Sequence, residues 1–199
     1  MDAQQNCLVY GLHGIAEGPP DLGNLCLYLK QHRLMPKSAT IYGNPHMMKT
    51  MVSIWPKIII QRCLVHIQRQ GLSWCRHYPK RTDAKRLREL FLQVTSIHNH
   101  EQRNQFLTQV EVWERIYGLP IASSPESGWV FSDLKRARSM LLSALPNMFH
   151  YLDDLSIPIS TNRLEGYFSR LKQRYRQHRG LAKRNRQAYF QWYLQLCDK

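Results

Sequence analysis

An α/β sheet followed by a helical block is the fold class this sequence predicts, and three observations carry it. Over roughly the first 60 residues, short β-prone runs alternate with segments of helical spacing, the order that parallel crossovers require. One of those runs, Lys57 to Gln61 (KIIIQ), sets three isoleucines in succession, as in a strand buried on both faces. From Cys63 to Tyr117 the apolar residues then recur only at helical intervals.

In chain order, Cys7 to Gly14 (CLVYGLHG) is a short apolar run bounded by glycine and suits a strand. After a Gly-Pro-Pro break, Asp21 is placed to cap a helix whose Leu22, Leu25 and Leu29 fall on one face. Ser38 to Tyr42 is β-prone and ends in Gly43-Asn44-Pro45. That proline stands at the first position of a helix reaching toward Trp55, and the isoleucine strand follows. In the helical block, Leu87, Leu90, Phe91 and Val94 share one stripe and Phe106, Val110, Trp113 and Tyr117 another. A loop is expected over Leu119 to Gly128, which is rich in Pro, Ser and Gly, and a helix from about Asp133 to Tyr151. A proline-containing approach, Ser156 to Thr161, leads into the final helices.

The chain has 199 residues, 43% hydrophobic and 21% charged. That is enough for one sizeable core, or a smaller one with an inserted subdomain, and it excludes wholesale disorder, collagen-like repetition and a disulfide miniprotein. The five cysteines, Cys7, Cys26, Cys63, Cys75 and Cys197, form an odd set without framework spacing, which points to free thiols in a reducing compartment. With no apolar run near the roughly 18 residues of a membrane span and no leader pattern, a cytoplasmic protein without a membrane partner is expected.

Charge is the most informative bulk property. The net charge is +14, more than solubility needs, and it calls for a polyanionic partner. From Asn162 onward ten cations (Arg163, Arg170, Lys172, Arg174, Arg176, Arg179, Lys183, Arg184, Arg186 and Lys199) face only Glu165 and Asp198, a surplus of eight. Seven aromatic residues are interleaved with them, so the region reads as a folded basic surface rather than a disordered tail.

Thr161-Asn162-Arg163-Leu164-Glu165-Gly166 opens a helix: Thr161 or Asn162 caps it, and Glu165 sits in a turn where the dipole favours negative charge. Leu164, Phe168, Leu171 and Tyr175 form its core stripe; Glu165, Ser169, Lys172 and Arg176 form the neighbouring one. A carboxylate heading a cationic stripe can hold a divalent metal while the cations hold phosphates. It can equally be an ordinary helix-start glutamate, and spacing alone favours that, since one carboxylate does not define a metal site. Cys63 and His66 lie three residues apart at the junction of strand and helix. Cys75 and His77 do not complete a zinc set with them, so packing or a hydrogen bond on one helix face is the expectation. His98-Asn99-His100 spells a nuclease motif without the ββα frame that motif needs.

Three segments taken together resemble the Mutator-type transposases of bacterial insertion sequences. These are Tyr42-Gly43-Asn44-Pro45, then Trp55-Pro56 leading to Gln61-Arg62-Cys63-x-x-His66, then Thr161-Asn162-Arg163-x-Glu165-Gly166 with Leu171-Lys172 and His178-Arg179-Gly180. The likeness extends over nearly the whole chain. It implies an RNase H-like core, here incomplete with its first strands missing, and an α-helical insertion. The segments would be 1–62 (partial core), 63–155 (insertion) and 156–199 (C-terminal core helices).

The same likeness implies a DNA transposase in which two Asp and one Glu hold two Mg²⁺ ions for end cleavage and strand transfer. By position Glu165 matches the catalytic, metal-binding glutamate, and Cys63 and His66 the Cys-x-x-His signature. Tyr42 stands where the second Asp belongs, and the first Asp would precede Cys7, so the chain is expected to begin after it. A phenol is neutral at pH 7 and is a poor ligand for a hard cation. The expectation is therefore a transposase fragment inactive on its own. The alternative is a non-catalytic DNA-binding or regulatory protein derived from one. In either case double-stranded DNA would meet Arg163, Lys172, Arg176, His178 and Arg179, and the protein partner would be a second copy or an intact transposase.

Overall fold

The computed structural model describes residues 1–5, 19–125, 128–178 and 180–196. The strand expected at Cys7 to Gly14 lies outside them. The chain is mostly helical, with a small parallel sheet of two strands among the described residues, so its α/β character holds at that level. Two compact units are present: the described residues of Met1–Ala39, Asn44–Ile59 and Thr161–Lys199 form one, and Thr40–Gly43 with Ile60–Ser160 the other.

Strands β1 (Ser38–Ile41) and β2 (Ile59–Arg62) run through both residue sets. The Ile59 amide donates to the Lys37 carbonyl at 2.9 Å and the Cys63 amide to the Ile41 carbonyl at 2.8 Å, an advance of four residues on each strand, as parallel pairing demands. The isoleucine run is not buried on both faces as expected. Ile58 and Ile60 are buried while Ile59, pointing the other way in the pleat, is 39% exposed.

In the first unit, α1 (Pro19–Gln31) begins two residues before Asp21. That aspartate therefore sits inside the first turn, favoured by the dipole, rather than at the cap. Leu22, Leu25 and Leu29 are half-buried on the expected face, with Cys26 the deepest residue of the helix. Helix α2 (Pro45–Ile54) starts as the sequence dictates: Asn44 Oδ1 accepts from the amides of His46 (2.9 Å) and Met47 (3.3 Å), and Pro45 fills the first turn, where no amide is needed. Helices α8 (Asn162–Gln177) and α9 (Arg186–Leu196) share a small core of Tyr167, Leu171, Phe190 and Tyr193.

The second unit is built on α3 (Leu64–Cys75), α4 (Thr82–Gln93), α5 (His100–Trp113) and α7 (Trp129–Ala144). Leu64, Ile67, Gly71 and Cys75 form the buried stripe of α3. A methyl at Gly71 would overlap the Phe91 ring, so the glycine is what lets α3 and α4 close on each other. Both predicted stripes are interior: Leu87, Leu90, Phe91 and Val94 are buried, as are Phe106, Val110 and Trp113, with Tyr117 packed partly against them. Several polar side chains of this unit are tied down. Trp113 Nε1 donates to the Asp83 carbonyl (3.0 Å), the Tyr151 hydroxyl to the Ile97 carbonyl (2.6 Å), and Arg138 pairs with Glu114.

Two boundaries need correction. The expected loop at Leu119 begins as a short helix, α6 (Leu119–Ser123), entered by a π-turn over Glu114–Gly118 with Pro120 in the first turn. The next helix starts at Trp129, not Asp133, and stops at Ala144, where Pro146 follows and two 3₁₀ turns carry the chain on. The approach segment is anchored too: Thr40 Oγ1 donates to the Pro158 carbonyl (2.7 Å) and the Leu64 amide to the Ile159 carbonyl (2.9 Å). Among the described residues no helix is long and apolar enough to cross a membrane.

Candidate functional site

Helix α8 supplies the basic surface. Its inward stripe is Leu164, Tyr167, Leu171 and Tyr175, so Tyr167 takes the place expected for Phe168, which is 37% exposed. Both residues keep helical spacing with Leu164 and Leu171, and it is the packing against Phe190 and Tyr193 that draws Tyr167 inward. Every cation of the helix, Arg163, Arg170, Lys172, Arg174 and Arg176, is exposed. Arg163 Nη1 donates to the Ala3 carbonyl at 3.0 Å. Arg174 lies over the Tyr193 ring at 5.6 Å, and Arg186 lies over Tyr175 and Phe190 at 5.6 and 5.5 Å. Aromatic rings thus fix the guanidinium stems while the charge stays in water. His178 is exposed, with its ring 5.2 Å from Tyr189. Arg179 lies outside the described residues. Lys172 and Arg176 stand on the outward face with Phe168, at i+4 and i+8 from it.

Glu165 occupies the first turn of α8, half-buried, its Oε1 accepting from Thr161 Oγ1 at 3.1 Å. Thr161 is the cap residue by position, but its hydroxyl is turned to the carboxylate instead of a backbone amide. Arg174 and Arg176 fall in the last turn, where the dipole favours cations.

The Cys-x-x-His pair belongs to the other unit. Cys63 is fully buried and precedes the first residue of α3, while His66 is half-buried in the first turn, with Nδ1 3.1 Å from Cys63 Sγ. The expected hydrogen-bonded pair is therefore formed. The Tyr42 ring, 42% exposed at the end of β1, stands 5.8 Å from the His66 ring. These two rings open onto a cavity of about 240 Å³, further lined by Arg69, Gln70 and Ser73, with Ile67 and Met140 as its apolar wall.

Beside them Arg62 is 6% exposed, and its Nε has no hydrogen-bond partner. Burial lowers its pKa from the usual arginine value, with nearby Cys63 acting in the opposite sense. Its guanidinium lies against Gly43, whose φ of +107° suits glycine and whose missing methyl makes the room. No role was assigned to Arg62, Arg69, Gln70 or Ser73 from sequence. Residues 66, 69, 70 and 73 form a polar stripe at i, i+3, i+4, i+7, and that spacing was the available signal.

The metal expectation is tested by the donors. At the motif positions the chain offers the Glu165 carboxylate and the Tyr42 phenol, and among the described residues no three His, Cys, Asp or Glu side chains gather to hold an ion. This set does not fit a two-metal centre, which needs several hard oxygen ligands. Cys75 and His77 likewise form no cluster with other ligands among the described residues. Cys26, Cys63 and Cys75 are free thiols, each buried. No known protein family, curated protein or solved structure matches the chain.

Proposed function

We propose that this chain binds double-stranded DNA through the α8 surface and that it derives from the catalytic domain of a Mutator-type transposase, an RNase H-like fold, without strand-transfer activity of its own. The observation carrying the DNA reading is the outward face of α8: five exposed cations on one 16-residue helix against a single carboxylate already engaged by Thr161. Like charges so close together repel one another, and duplex DNA, with one charge per roughly 1.7 Å of axis, supplies more than enough phosphates to neutralise them. The transposase ancestry rests on the ordered motif residues, and the inactivity on Tyr42 standing where a metal-binding carboxylate would be required.

Titrating DNA binding against salt tests this directly. Contact by four or five cations gives a log-log slope near −4, and replacing Lys172 and Arg176 together by Glu flattens it by about two. A slope near zero in the unaltered protein refutes the proposal. Ancestry without activity has its own check: incubation of plasmid with Mg²⁺ or Mn²⁺ leaves it intact. Cleavage that disappears in Glu165→Gln would show a working acidic centre and reverse this part of the proposal.

A further inference from the structure

We propose that the loop at residues 76–81 and the first turn of α7 form a stacking platform for single-stranded DNA; only the choice of DNA as the strand rests on the α8 reading. All of these residues belong to the second unit. Tyr78 is 86% exposed and Trp129 77%, and Val130 beside it is exposed as well. The loop is tied to the helix at both ends. Arg76 Cζ lies 5.0 Å from the centre of the Trp129 ring and its Nη2 3.5 Å from Asp133 Oδ2, while Arg81 lies 5.1 Å over Phe131. Tyr78 falls between these anchors, its ring 4.3 Å from that of His77. Trp129 is thus steadied by a guanidinium while most of its ring stays open to water.

The backbone adds a second observation. Arg76 has φ 66° and ψ 170°, a region that glycine occupies almost alone. Strain of this kind gathers where geometry serves a ligand, and here it falls on the residue that steadies the Trp129 ring. Charge selects the ligand. Arg76, Lys80, Arg81, Lys135 and Arg136 stand in the loop and the adjoining turns of α7, and the carboxylates beside them among the described residues are Asp83 and Asp133. Each carboxylate is already matched, Asp83 by Arg81 and Asp133 by Arg76 and Arg136, which leaves the surface cationic. Flat, open rings among cations take a base on the ring and phosphates on the charges. In a duplex the base faces are covered by neighbouring bases, and an anionic lipid or an acidic peptide brings charge without a base to stack. An unpaired strand is the occupant that satisfies both features.

The test compares two strands of equal charge, a deoxyuridine strand of about twelve nucleotides and an abasic strand of the same length, by fluorescence anisotropy with the full chain. Phosphate contacts, including any made by α8, act on both alike, so the ratio of the two dissociation constants reports stacking. The abasic strand should bind at least about tenfold more weakly, the usual loss for one stacked base. Tyr78→Leu with Trp129→Leu should bring the ratio to about one at an unchanged melting temperature, because both side chains lie outside the core, whereas Tyr78→Phe with Trp129→Phe should keep it. Replacing Lys172 and Arg176 by Glu weakens both strands together and leaves the ratio as it was, so failure of this surface and failure of the α8 reading are told apart. A ratio near one in the unaltered protein, or a ratio that survives the leucine pair, overturns the platform. Tighter binding of uridine RNA than of the deoxyuridine strand overturns DNA as its occupant. So does a leucine pair that abolishes binding to phosphatidylserine vesicles, or self-association, without changing strand binding.

Discussion

At Gly71 two principles oppose each other, and magnitude decides between them. Alanine is the better helix former by roughly 1 kcal/mol, yet its methyl would overlap the Phe91 ring in a core with no slack. Overpacking costs about 1–3 kcal/mol, so Gly71→Ala should destabilise the protein by up to about 2 kcal/mol, measured as a lowered urea midpoint with unchanged slope. A gain in stability would show that α3 and α4 do not pack this closely. Gly43 sets a similar limit, since its positive φ and the guanidinium beside it both resist a side chain. Not all of this detail was legible in advance. The i, i+3 spacing of Cys63 and His66 announces a contact on one face, and the contact is there at 3.1 Å. Arg62 gave no such signal, because an arginine in a strand reads as a solvent-facing residue, and only the covering chain buries it.

Among the helices, α8 carries the sharpest test of register. Tyr167 and Phe168 are adjacent, and only one can face Leu171, Phe190 and Tyr193. Tyr167→Ala should cost about 3 kcal/mol as a buried aromatic, while Phe168→Ala should stay within about 0.5 kcal/mol. Chemical denaturation of the two variants separates them, and a larger loss at Phe168 would mean that the helix is turned by one residue. The stripe through Phe168 was a reasonable expectation, because both choices keep helical spacing and intensity of apolar pattern cannot rank them. Helices α4 and α5 were legible because each repeats large apolar residues over about two turns. Helix α6 was not, since in five residues its Pro and Ser read as punctuation although the proline sits where a helix start accepts it.

For the molecule as a whole, the alternation of β-prone and helical segments was enough to foresee a parallel sheet followed by helices, and two of its three expected strands are paired among the described residues. The extent of the sheet depends on pairings between distant segments, which local pattern does not encode. Bulk charge was legible by counting, but its meaning for stability is set by what the fold buries. Burial pushes the Cys75 thiol from its ordinary value of 9.0 up to about 12, with Arg88 pulling it back and Asp83 adding to the rise. Burial likewise pushes the Tyr151 hydroxyl from 10.0 up to about 12.

Both groups hold their protons more tightly folded than unfolded, so each contributes stability that is fully present below its unfolded value and is lost as pH climbs toward 12. The unfolded chain releases the Cys75 proton first, so the decline begins near pH 9 and steepens near pH 10 as the Tyr151 proton follows. Loss of positive charge from lysines over the same range reduces self-repulsion and acts in the opposite sense. The contribution of each buried group must therefore be read as a difference at fixed pH. The unfolding free energy of the unaltered protein should exceed that of Cys75→Ala by a margin that is constant to pH 8.5 and shrinks steadily to pH 11. With Tyr151→Phe the margin should stay level until about pH 10 before it narrows. Margins that remain flat over the whole range would mean that these two groups ionise as freely in the folded chain as in the unfolded one.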